Sequence, residues 1–102
     1  MKGPSVLPLL TEFAVASRTG GFVPYACDKN VGVLVGVVSG IHHGLSLGGL
    51  RDESWNEFSA WLRQTGLAQG TESPLDILVR LSPDKPLELI ADWIDEFEKR
   101  EK

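Results

Sequence analysis

The chain has 102 residues, 42% of them hydrophobic and 24% charged, which is the balance of one globular domain rather than of a disordered segment. The formal net charge of −4 argues against nucleic acid as a partner, because phosphate binding needs clustered Lys and Arg. A single cysteine, Cys27, excludes an internal disulfide, and with Met1-Lys2-Gly3-Pro4 in place of a secretory leader the expected compartment is the reducing cytoplasm.

In chain order, Ser5 is a candidate cap for a first helix, with Val6, Leu9, Leu10 and Phe13 at helical spacing. Pro8 sits in the first turn, where its missing N–H is cheap, and Gly20-Gly21 ends the helix. Thr19 to Asn30 reads as a connector or an edge strand.

Val31 to Leu50 is the unusual stretch. It carries no Asp, Glu, Lys or Arg, and Gly32, Gly36, Gly40, Gly44 and Gly48 fall at every fourth position. Positions four apart share one face of a helix, so the glycines would form a smooth groove in which another backbone could lie. The cost is about 0.5–1 kcal/mol per interior glycine relative to alanine, which only close packing offsets. The valines at 31, 33, 35, 37 and 38 argue instead for a strand. Asp28-Lys29-Asn30 would then be a hairpin loop and Phe22–Cys27 the partner strand, placed at a sheet edge by Pro24. A membrane span is long enough on paper, but glycine, histidine and serine dilute it and no Trp or Tyr flanks it. The fourfold spacing has meaning only for a helix, and that reading leads. Gly36, Gly40 and Gly44 are then expected to face another backbone, within the chain or in a second copy.

Downstream, Ser54-x-x-Glu57 has the form of a capping box, followed by an apolar stripe of Trp55, Phe58, Trp61 and Leu62. Gly66 is a stop. Ser73-Pro74-Leu75-Asp76 starts a short helix expected to bury Ile77, Leu78, Val79 and Leu81. A last helix begins near Pro86 and carries Leu87, Ile90, Ile94 and Phe97 on one side. The expected fold is all-α, a small bundle of four to five helices around a Gly-rich apolar central helix. The alternative is α+β with a hairpin at 22–38.

Candidate chemistry is sparse. His42 and His43 are the only histidines, and they project about 100° apart on a helix, too divergent to chelate one ion. With Cys27 and Asp28 they form an alternative polar site for a small enzyme or ligand-binding domain. The plainer reading is hydrogen-bonded imidazoles and a buried structural thiol. Gly44 to Gly49 lacks the Gly-Lys-Ser/Thr ending of a phosphate loop. No catalytic residue, metal or cofactor is called for. Trp55, Trp61 and Trp93 belong to the core by default; placed at its rim, Trp61 and Trp93 with Asp92, Asp95 and Glu96 make a candidate binding surface, tryptophan being a frequent interface anchor. The leading expectation is a non-enzymatic acidic protein-binding protein of the immunity or antitoxin kind, covering a basic protein partner. It would be homodimeric and have no membrane or nucleic-acid partner. A structural subunit that self-associates through its glycine face is the rival.

Overall fold

The computed structural model describes residues 3–23 and 27–100. Its elements are α1 (Leu7–Thr19), α2 (Val31–Leu47), α3 (Glu53–Gln64), α4 (Pro74–Leu81) and α5 (Pro86–Lys99). The fold is all-helical, and no strand occurs among the described residues. The hairpin alternative is therefore corrected: the valine run belongs to α2, and Cys27 to Lys29 form a turn. Pro24 lies outside the described residues. No helix among the described residues is long and apolar enough to cross a membrane.

Each helix starts from a local signal. α1 tolerates Pro8 in its first turn and closes on Gly20 at φ 76°, whose N–H returns to the Ala16 carbonyl. Val6 occupies the cap position of α1, and Ser5 accepts a hydrogen bond from the Leu7 N–H at 3.2 Å. α2 is started by Asn30, whose extended backbone lets its side-chain oxygen accept from the Gly32 and Val33 amides. α3 is capped by Asp52, not by Ser54, so the Ser54-x-x-Glu57 box is not used. α4 carries the full reciprocal box between Ser73 and Asp76, with Pro74 at the first position. Arg80 pins the preceding loop by pairing with Glu72 and donating to the Leu67 carbonyl.

One hydrophobic cluster draws on all five helices. α5 buries Pro86, Leu87, Ile90, Trp93, Ile94 and Phe97, and packs against α1, α3 and α4. α2 buries only Val31, Leu34 and Val38 and packs against α4; its first amide donates to the Pro83 carbonyl at 3.0 Å. The difference is one of side-chain area, since burial of a Leu- or Ile-sized side chain contributes about 1.5–3 kcal/mol and glycine has none to bury. In α4 the inward stripe is Pro74, Ile77 and Leu78. Val79 and Leu81, expected inside, are 52% and 46% exposed, because eight residues of helix present a single inward stripe.

Candidate functional site

Two opposite faces of α2 carry the features of interest. At 100° per residue, Gly36, Gly40, His43, Gly44 and Leu47 project on one side, and Val38, His42, Leu45 and Ser46 on the other. On the first side every residue is exposed, and Leu47 reaches 78% exposure. A Cβ added at Gly36, Gly40 or Gly44 would meet nothing within 4 Å. Packing of these glycines against another backbone within the chain is thus overturned for the described residues. Gly32 differs: its missing Cβ leaves room for the Asn30 side-chain oxygen, which would lie 3.1 Å away.

On the second side lies a joint built on Asp52. Its carboxylate is buried and accepts from three elements. Oδ1 takes the Trp55 N–H at 2.9 Å, the capping bond of α3. Oδ2 takes the Val6 N–H at 2.8 Å and faces His42 Nε2 at 2.9 Å. Burial by itself would push the carboxyl up. Hydrogen bonds from the Ser5 hydroxyl, the Val6 and Trp55 amides and His42 outweigh it and hold Asp52 below the ordinary aspartate range. Asp52 is therefore an acceptor only, so Nε2 of His42 carries the hydrogen, as assigned from the network. That leaves Nδ1 as the other nitrogen of the ring, and it has no hydrogen-bond partner among the described residues.

His42 also meets Trp55 edge-on, with centroids 5.3 Å apart. From Trp55 an aromatic chain runs inward through Phe58 to Trp61 and Phe97. A cleft of about 460 Å³ opens beside the joint, lined by His42, Leu45, Ser46, Leu50, Arg51, Asp52, Trp55 and Asn56.

The residues singled out from the sequence are dispersed. His43 is exposed on the glycine side. Cys27 is buried just before α2, and burial together with the Asp28 charge pushes its thiol up, away from the thiolate a nucleophile needs. Asp28 accepts from the Ser17 hydroxyl at 2.8 Å. Cys27 and Asp28 precede the first turn of α2, and His42 lies eleven residues beyond Val31, about 16 Å along the axis. The polar site of Cys27, Asp28, His42 and His43 therefore does not assemble. No group of three or more metal-ligating side chains occurs among the described residues.

On α5, Asp92, Asp95 and Glu96 are exposed, and Asp95 pairs with Lys99 at 2.9 Å. Trp93 takes its default place in the core, with 6% exposure, beside Ile90 and Ile94 on the buried stripe, so its placement in the binding surface is corrected. Trp61 is half-buried against Phe58 and Phe97. The residue that sequence reasoning missed is Asp52. The available signal was an Asp just ahead of an apolar stripe, which is a cap in its own right.

Comparison with protein-family models, with curated proteins and with solved structures returned no match.

Proposed function

We propose that this chain is an assembly subunit that pairs with a second copy of itself through α2. The observation that supports this is the exposed face of α2: a 17-residue helix with no charged residue, turning Gly36, Gly40 and Gly44 outward with nothing packed on them. Charged side chains ordinarily cover the solvent side of a helix. Here the chain forgoes about 0.5–1 kcal/mol of helix propensity at each glycine and gains no contact of its own in return. A close helix crossing supplies that return, since glycine rows let two backbones approach. The face is neutral, so it sets no demand for a charged partner, and an identical face fulfils the self-complementarity of a two-fold contact.

Light scattering coupled to size exclusion tests the reading. The wild-type chain is expected at twice the 11.1 kDa monomer mass. Gly40→Leu is expected at the monomer mass, with a melting temperature that no longer rises with protein concentration as the wild type's does, because pairing stabilises the folded chain by mass action. A wild-type mass of 11.1 kDa at about 100 μM, where a dimer of micromolar affinity is nearly complete, overturns it.

A second reading, a basic protein partner covering α5 in the manner of an immunity protein or antitoxin, draws on the exposed Asp92, Asp95 and Glu96. Asp95 already has Lys99, and Trp93 is withdrawn into the core, so the anchor of that surface is lost. Changing all three carboxylates to their amides should alter stability by only a few tenths of a kcal/mol per repelling pair. Urea unfolding measures that change. A loss above about 1.5 kcal/mol would reveal a structural duty for these carboxylates.

A further inference from the structure

We propose that the cleft beside His42 binds a small carboxylic acid that carries a hydroxyl or amide N–H donor next to its carboxylate. The cleft gathers one ring that the fold holds in place, His42, and three exposed polar side chains that the fold leaves without a partner among the described residues. Asp52 is consumed by the joint, and it fixes His42 with Nε2–H inward. In the neutral ring Nδ1 is then an acceptor. Its ring is held on two sides, by Asp52 at 2.9 Å and by the Trp55 edge at 5.3 Å between centroids, so its orientation is set before any ligand arrives. Arg51 lines the same cleft and has no acidic partner among the described residues. The side chains of Ser46 and Asn56, also lining it, make no hydrogen bond among the described residues.

The cleft is open, about 460 Å³ with Leu45, Leu50 and Trp55 as apolar walls, and has room for a ligand of a few heavy atoms. The polar inventory selects the ligand class. Arg51 is the single cation of the lining, and its planar fork matches a carboxylate, while the charge of Asp52 is met by the hydrogens of Val6, Trp55 and His42. The acceptor at His42 Nδ1 asks for a donor beside that carboxylate. Glycolate and N-acetylglycine carry both groups, whereas propionate lacks the donor and glycolamide lacks the charge.

These four compounds, titrated into the ¹⁵N-labelled full chain, test the proposal by amide and indole shifts. Glycolate or N-acetylglycine should give saturable shifts at Trp55, Arg51 and His42, with propionate and glycolamide weaker by about tenfold or more. Arg51→Gln, an exposed position whose change leaves the joint intact, should weaken the binding compound by a similar factor. Absence of saturable shifts from both acids up to about 10 mM overturns the proposal. So does propionate binding equal to that of the donor-bearing acids, or binding unaffected by Arg51→Gln. The glycine face lies on the far side of α2, so these outcomes are independent of the chain's oligomeric state.

Discussion

Asp52→Ala is expected to lower stability by about 3–4 kcal/mol, a large share of the 5–15 kcal/mol typical of a domain. Two losses make up the figure. The capping bond to the Trp55 amide is worth about 0.5–2 kcal/mol. The Val6 amide, on a residue with no exposed surface, loses a charged acceptor, at about 1.5–3 kcal/mol. His42 adds little, because its side chain is 27% exposed and water can replace the carboxylate there. Asp52→Asn keeps one side-chain oxygen for the cap and should lose roughly half as much. Urea unfolding measures both; a loss under about 1 kcal/mol for the alanine variant would mean that the joint is incidental.

The same carboxylate predicts an acid dependence. Its folded pKa is lowered, so the unfolded chain binds the proton more readily. The stabilisation is fully present above the unfolded value near 4 and is lost as pH falls through the lower folded value. Glu72, held low by Arg80, acts in the same direction. The difference between wild type and Asp52→Asn across this window isolates Asp52. An identical acid slope in the two proteins would contradict the assignment.

Phe58→Ala should cost about 3–5 kcal/mol, the usual range for deleting a fully buried aromatic ring. Phe58 has no exposed surface, and its ring sits 5.5–6.1 Å from those of Trp55, Trp61 and Phe97, joining α3 to α5. Its neighbours come from two helices, so the space cannot close by a shift of one side chain. Trp61→Ala, at a half-buried position, should cost less. Denaturant midpoints for the two variants settle the order, and equal losses would show that the aromatic chain has no centre.

Much of the fold was legible where the signal is local. Ser73-Pro74 with Asp76 starts α4 as read, and Leu87, Ile90, Ile94 and Phe97 face inward along α5 as read. The start of α3 was not, because Asp52 and Ser54 are both competent caps. Donors at Val6 and His42, far away in sequence, favour Asp52, and no local pattern carries them. Asp28-Lys29-Asn30 is ambiguous for a related reason. Asn serves hairpin loops and helix caps alike, and only the Gly32 and Val33 amides distinguish them. The glycine spacing correctly indicates a helix. It does not say which side faces water, since both sides of α2 are uncharged. The pairing of His42 was hidden because Asp52, ten residues on, reads as part of a polar break before α3, whereas the partners considered for His42, Cys27 and Asp28, lie at the other end of α2.

The two bonds of the Asp52 carboxylate to backbone amides also differ in reach, and this orders the assembly of the chain. The bond to Trp55 spans three residues, and the bond to Val6 spans 46. A three-residue contact forms on the timescale of helix nucleation, well under a microsecond. Closing a 46-residue loop costs about 3 kcal/mol of chain entropy before any contact offsets it. The cap is therefore expected to form before the clasp, with α3 started before the N-terminal segment docks.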